Sequence, residues 1–330
     1  MSGTALIVVT HLLGSGHLVR AAHLARALAR GGLAVTLASG GMKLRPMEGE
    51  PFAFAQLPAV RTEGVDFRTL VDEAGRAVEP GRMAARTAAL QELATRLRPD
   101  VVVTEHFPFG RRQLAEEFLA VIAAAKAANP RALVLSSVRD VLVTPKPARI
   151  VEAQERLARL FDAVLVHGEE SFLPLERSWP VDAALAGKLR YTGYLADVPA
   201  LTAAPDHGEI LVSGGGSAAA LPLFALALRA ARLGPARWRW RVLVGRGVSE
   251  EAFLCLAGAA SDRVVVERAR PDFPVLLAGC ALLISQAGYN TVLDLVAARR
   301  PAIVVPFDEG AETEQAVRGE ALEEAGLALC

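Results

Sequence analysis

The chain has 330 residues, 52% of them hydrophobic, and its 36 Lys and Arg balance its 36 Asp and Glu. That length holds two cores more readily than one, and the absence of a basic excess argues against a nucleic-acid partner. Cys255, Cys280 and Cys330 lack metal-ligand spacing, and their odd number fits reduced thiols in a cytoplasmic protein better than a disulfide framework.

The first apolar run, residues 5–9, has no basic segment before it, so it reads as a strand and not as a signal peptide. Further strands are predicted over 34–38, 53–57, 101–104, 132–136 and 163–167. Their apolar residues are continuous instead of alternating, the pattern of a parallel sheet covered on both faces. Helices are predicted over 16–30, 81–98 and 113–128, closed by Gly31-Gly32, Pro99 and Asn129-Pro130. From Gly187 to Pro205 no period is evident, and residues 191–205 are expected to link a first domain (1–190) to a second (206–330). The alternation then resumes, with strands over 209–213, 241–244, 263–267, 281–284 and 302–305. Helices are expected over 221–232, 249–259, 273–277, 291–298 and 312–325. The longest uncharged apolar run, 218–228, is too short to span a bilayer and contains Pro222, so at most a peripheral membrane contact is expected. The expected architecture is α/β, with two Rossmann-like, doubly wound parallel-sheet domains facing a cleft.

Four turns carry chemistry. The first, Thr10-His11-Leu12-Leu13-Gly14-Ser15-Gly16-His17, joins the first strand to the first helix. It is no dinucleotide fingerprint, because the third glycine position is Val19, and no Gly-Lys-Ser/Thr makes it a P-loop. It sets the His17 imidazole at a helix N-terminus, whose positive end disfavours imidazolium and keeps a proton acceptor neutral. His17 could also serve only in capping, but Gly14, Ser15 and Gly16 leave room for a ligand, which favours function. His11 and His23 read as structural or surface residues. The second turn, Ser213-Gly214-Gly215-Gly216-Ser217, repeats that placement in the second domain. Gly215, Gly216 and Ser217 would offer amides and a hydroxyl to phosphate or sugar, although any tight turn can use such a glycine run.

The third runs from Ile284 through Gln286, Gly288, Asn290, Thr291 and Asp294, then past Pro301 and Pro306 to Glu314 and Gln315. A strand, a glycine turn and a helix here can hold a diphosphate on helix amides and a ribose on Asp294. Thr291 to Asp294 also reads as a capping box, and Glu314 and Gln315 as a solvated helix face. The fourth, Thr104-Glu105-His106 with Arg111 and Arg112, ends a buried strand. Glu105 is either a general base or, with slightly more weight, the partner of Arg111. Arg139-Asp140 holds the same place in the next unit and reads as an internal ion pair. In Arg237-Trp238-Arg239-Trp240-Arg241, tryptophans and arginines alternate on two strand faces, with the arginines expected in solvent. No Asp-x-Asp, His-x-x-x-His or Cys-x-x-Cys occurs, so no protein-held metal is expected.

Together these turns resemble those of the GT-B glycosyltransferases, in particular the family-28 group. The resemblance implies an acceptor-binding first domain and a second domain that takes a nucleotide-diphosphate sugar, with UDP the expected nucleotide. It implies that His17 is the base, that Asp294 holds the ribose and that Glu314 and Gln315 meet the sugar. Backbone near Arg270 and Pro271 would meet the nucleotide base. Asp at 294 and Arg at 318 depart from the residues usual in such proteins. The sequence ends four residues after Gly326, before the last helix that such folds often use to close the cleft. The reaction implied is inverting and metal-independent, with no cofactor beyond the sugar nucleotide. Alternatives are a nucleotide-sugar 2-epimerase or hydrolase using Glu105 or Asp140, and a non-catalytic sugar-nucleotide-binding subunit.

Overall fold

The computed structural model describes residues 3–12, 15–43, 49–63, 66–143, 146–196, 208–216, 218–307 and 313–330. The chain divides into two compact units, one of Met1–Glu170 with Trp179–Ala196, the other of Ser171–Ser178 with Asp197–Cys330.

Unit 1 contains β1 (Thr4–Val9), α1 (Gly16–Arg30), β2 (Ala34–Ser39), β3 (Ala53–Gln56), β4 (Arg61–Glu63), β5 (Asp66–Val71), α2 (Pro80–Leu97) and β6 (Val101–Glu105). It continues with α3 (Ala115–Ala128), β7 (Leu133–Arg139), α4 (Pro147–Leu160), β8 (Ala163–His167), α5 (Ala183–Ala186) and β9 (Leu189–Tyr191). Seven strands form a parallel sheet in the order β3-β2-β1-β6-β7-β8-β9. The apolar run of β1 lies inside it, between β2 and β6, and Ala5 to Val9 are fully buried. Ala21, Ala22 and Ala25 line the buried side of α1, and their small side chains let that helix approach the sheet closely. Helices α2 and α3 are joined by Arg86 and Glu117, both with no exposure and 2.7 Å apart. Arg86 also donates to the Gly40 and Pro58 carbonyls and to Thr10 Oγ1. A Cβ on Gly40 would stand 2.3 Å from Arg86 Nη2, so the missing side chain admits the guanidinium.

The antiparallel β4–β5 pair and α4 have no counterpart among the predicted elements. The stretch after Gly187, which shows no period, begins with β9, a three-residue edge strand on β8.

Unit 2 contains β10 (Glu209–Ser213), α6 (Leu221–Leu233), β11 (Arg239–Val244), α7 (Glu250–Ala257), β12 (Val264–Arg268) and α8 (Phe273–Gly279). It ends with β13 (Leu282–Ser285), α9 (Tyr289–Ala298), β14 (Ala302–Val304) and α10 (Glu314–Glu324). Its five strands are parallel, in the order β12-β11-β10-β13-β14. Ile210, Val212, Phe224, Val242 and Val244 form the core on one face, with Trp240 among them. Contrary to the expected solvated arginines, Arg241 is closed between Glu209 (2.8 Å) and Glu267 (2.5 Å). Arg237 and Arg239 are exposed. The residues after α10 border β14: Val304 N donates to the Leu329 carbonyl, and Leu329 N donates to that of Ala302. No helix among the described residues is long and apolar enough to cross a membrane.

Both sheets wind outward from a central strand in two directions. The reversal lies between β1 and β6 in unit 1 and between β10 and β13 in unit 2. Loops at the carboxyl ends of those strand pairs diverge, and ligands of doubly wound sheets bind there.

Candidate functional site

In unit 1 the reversal brings His17 and Glu105 together. His17 is the second residue of α1, and Glu105 is the last residue of β6. His17 Nδ1 lies 3.0 Å from Glu105 Oε1, with exposures of 17% and 1%. Arg20, one turn along α1, pairs with the same carboxylate and lies 3.0 Å from His17 Nδ1. The partner of Glu105 is therefore Arg20, and the expected contact with Arg111 is not made.

Glu105 has further support behind it. In the register of β6 and β7 it stands beside Ser137, whose hydroxyl donates to Oε2. Having spent its proton there, Ser137 accepts from His167 Nε2 at 2.9 Å. His167 Nδ1 then accepts from the Thr192 hydroxyl at 2.7 Å. A single chain of donors thus crosses the ends of β8, β7 and β6 and ends on one carboxylate. Burial raises the pKa of Glu105, but the Arg20 charge, the Ser137 bond and His167 outweigh it, leaving the group ionised below its ordinary range. His167 is driven by burial down to about 3 and is neutral.

A carboxylate accepts more strongly than an imidazole, so we assign the His17 Nδ1 proton to the bond with Glu105. Nε2 then carries the lone pair. Burial, followed by the charges of Arg111, Arg20 and Arg139, holds the His17 pKa well below 6.5. The ring is a neutral acceptor oriented by an anion. The N-cap residue Ser15 makes no side-chain capping bond, and Gly16 has open space where a Cβ would lie. Gly14 lies outside the described residues. His106 stacks obliquely near His17, with ring centroids 5.4 Å apart. His11 is buried and His23 meets Arg26, consistent with structural roles for both.

Asp140 is fully buried at the end of β7. Its oxygens accept from Val141 N (2.8 Å) and from the Tyr194 hydroxyl (3.0 Å). His167, Ser137 and Thr192 were not singled out from sequence, because only strand register makes them neighbours.

In unit 2 the loops after β10 and β13 meet at the reversal. Gln286 Nε2 donates to the Ala219 carbonyl at 2.9 Å, tying the two loops together. Gly215 has φ +72°, and Gly215 and Gly216 both have open space where a Cβ would lie. Gly214 and Gly245 are glycines for packing: a Cβ would meet Ala220 Cβ at 2.1 Å in the first case and the Gly215 carbonyl at 2.2 Å in the second. Ser217 lies outside the described residues.

Gly288 is the N-cap of α9 and Asn290 is exposed in its first turn. The capping box is absent: Thr291 turns its hydroxyl back to the Gln286 carbonyl at 2.8 Å, and Asp294 sits beyond the first turn. Asp294 is partly buried, and burial alone raises its pKa to about 6. No donor among the described residues reaches it. Glu314 is 3% exposed, which overturns the reading of a solvated face. Arg318, one turn further and 1% exposed, donates to the Ala287 carbonyl at 2.6 Å and fixes α10 to the loop after β13. Gln315 Oε1 accepts from Phe307 N at 3.1 Å. Arg270, after β12, is exposed and paired with Asp272 and Glu267. Among the described residues no group of three or more His, Cys, Asp and Glu could hold a metal ion.

Chemically, unit 1 presents an oriented, neutral imidazole, and unit 2 a glycine-lined turn, a helix N-terminus and a carboxylate lacking donors. Residues 209–330 match the family described as Glycosyltransferase family 28 C-terminal domain. A UDP-N-acetylglucosamine--N-acetylmuramyl-(pentapeptide) pyrophosphoryl-undecaprenol N-acetylglucosamine transferase of Rhodopseudomonas palustris (strain BisB18) is 32% identical over 161 residues, 45% of this chain and 42% of its own. The enzyme of the same description from strain BisA53 is 30% identical over the same shares. The chain thus spans under half the length of these relatives. Among solved structures, MurG of Acinetobacter baumannii superposes with a TM-score of 0.62 at 17% identity, covering 99% of this chain and 84% of that one. SsfS6 of Streptomyces sp. SF2575, a glycosyltransferase solved with thymidine diphosphate, gives 0.59 at 18% identity over 99% and 87%. The fold is that of the GT-B glycosyltransferases, and the family, relatives and structures named above are those of glycosyltransferases.

Proposed function

We propose that the chain is an inverting, metal-independent glycosyltransferase that moves a sugar from a nucleotide-diphosphate sugar, with UDP the preferred nucleotide, to an acceptor hydroxyl. The observation that carries the reading is the His17–Glu105 pair: a neutral imidazole held on a buried anion at the sheet reversal. Nε2 takes the acceptor proton as the hydroxyl oxygen attacks the anomeric carbon, and Glu105 stabilises the imidazolium that forms. Attack on the face opposite the leaving group inverts the anomeric centre. The leaving diphosphate gains charge near the amides of 215–216 and the N-terminus of α9, which supply fixed positive dipoles. The family match over 209–330 supports this placing of the donor.

Asp294 suits the ribose diol because a diol brings the two donors that the carboxylate lacks. Gln286, Gly288, Asn290, Thr291, Glu314 and Gln315 surround or support that position in sequence and fold, and backbone near Arg270 takes the nucleotide base. The absence of any Asp-x-Asp in the sequence supports turnover without a metal. Glu105 is a positioning residue and not the base, since Arg20 and Ser137 already occupy its oxygens. The epimerase or hydrolase reading needs a carboxylate available for proton transfer, and Glu105 and Asp140 are both engaged. A binding screen of nucleoside diphosphates and their sugars by calorimetry tests the reading. UDP and a UDP-sugar binding to wild type and to His17→Ala, but poorly to Asp294→Ala, is expected. No binding by any of them would overturn it.

A further inference from the structure

The loop after β6 holds a guanidinium that unit 1 does not neutralise. His106 and Arg111 both adopt positive φ, 66° and 59°. Such backbone in a non-glycine residue costs on the order of 1–3 kcal/mol and persists only where the surroundings impose it. Gly110, just before Arg111, lies against the His106 ring, where a Cβ would stand 2.3 Å from Cδ2. That ring is in turn the neighbour of His17. Arg111 Nε is buried without a hydrogen-bond partner. Among the described residues no carboxylate comes within ion-pair distance of its guanidinium.

The charges around Arg111 explain the shortfall. They are Glu105, Arg139 and Arg20. Glu105 already receives Arg20, His17 and Ser137. Asp140, the next carboxylate along the sheet, receives Val141 N and Tyr194. Burial lowers the Arg111 pKa to about 10, so it remains a cation at neutral pH. Arg111 is partly buried, with its Nε closed off from solvent; a cation so placed without a counter-ion is costly, and chains seldom keep one unless something supplies the anion.

We propose that Arg111 is an anion subsite for the acceptor: the molecule that offers its hydroxyl to His17 carries an oxyanion, phosphate or carboxylate, that pairs with this guanidinium. The planar fork of arginine suits two oxygens of either group. The inference rests on the reading of unit 1 as the acceptor side.

The test is a titration of the full chain with inorganic phosphate and, separately, with acetate, followed by the imidazole NMR signals of His17 and His106. Saturable shifts of both are expected, and the tighter anion identifies a phosphorylated or a carboxylated acceptor. Arg111→Gln should weaken binding about tenfold or more. Arg111→Lys, which keeps the charge and is the safer variant for folding, should fall between the two. Arg112→Gln, at the exposed neighbour, should titrate as wild type. Saturating UDP should leave the phosphate titration in place. Absence of saturable shifts with both anions would overturn the proposal, as would an unchanged Arg111→Gln. Competition between UDP and phosphate would also overturn it, by giving the subsite to the donor. A chain that binds phosphate through Arg111 but no nucleotide would refute the glycosyltransferase reading alone.

Discussion

Asp294 yields a prediction with two opposite signs. Its carboxyl is raised from 3.8 to about 6 by burial. Between those values the folded chain holds a proton that the unfolded chain has lost, so stability falls as pH rises from about 4 to 6 and stays lower above. The full displacement corresponds to at most ~3 kcal/mol. The group is only partly buried, and solvent screening brings the expected effect to about 1–2 kcal/mol. Asp294→Asn keeps the shape without the charge, so it should unfold later in urea than wild type at pH 7.5 and equal it at pH 4. Nucleotide affinity should move the other way. The ribose hydroxyls donate, so the ionised form binds; with the pKa near 6, only about a tenth is ionised at pH 5, and UDP affinity should fall several-fold between pH 7 and pH 5. Asp294→Asn should bind weakly at both pH values. Calorimetry with UDP and urea melts at pH 4, 5, 6 and 7.5 measure both effects. An Asp294→Asn chain that is less stable at pH 7.5 and binds UDP like wild type would refute the assignment.

Other expectations follow from particular contacts. His17→Ala should lose about 10²–10⁴-fold in turnover while UDP affinity is kept. Because the His17 pKa lies well below 6.5, kcat at saturating donor should stay level from pH 8 down through 6.5; an acid limb centred at 6.5 would contradict the buried assignment. Arg86→Ala strands the Glu117 carboxylate in the core of unit 1, and a loss of about 3–5 kcal/mol in denaturant melts is expected, without change in UDP affinity if the chain is still folded. Gly245→Ala drives a Cβ to 2.2 Å from the Gly215 carbonyl and should weaken UDP binding by displacing the turn. Wild-type UDP affinity in Gly245→Ala would remove the turn at 214–216 from the donor site.

The fold was legible because both sheets are parallel and buried on two faces. Runs such as Ala5 to Val9 can be little else than central strands, and the glycine turns mark where helices begin. β9 escaped because a three-residue edge strand carries no period, and α4 because only Ala153 and Leu157 are buried along its length. His17 and Glu105 were visible singly, each at the carboxyl end of a strand. Their partnership was not, since the two residues are 88 positions apart and meet only because β1 and β6 are neighbours in the sheet. The same holds for Ser137, His167 and Thr192. In unit 2 the glycines drew attention, yet Gly245, which makes room for the turn, follows another strand, β11, and has no local signature. Glu314 misled because a polar helix start reads as solvated, whereas α10, held by Arg318 to the loop after β13, leaves it 3% exposed.

The most direct test of the central claim follows the slow hydrolysis of a UDP-sugar by proton NMR, with water standing in for the acceptor, in excess EDTA. The account predicts that wild type releases UDP with the free sugar first seen as the inverted anomer, that EDTA leaves the rate nearly unchanged, and that His17→Ala slows it at least ~100-fold. Release of the retained anomer, a requirement for added magnesium or manganese, or a His17→Ala chain as fast as wild type would contradict it.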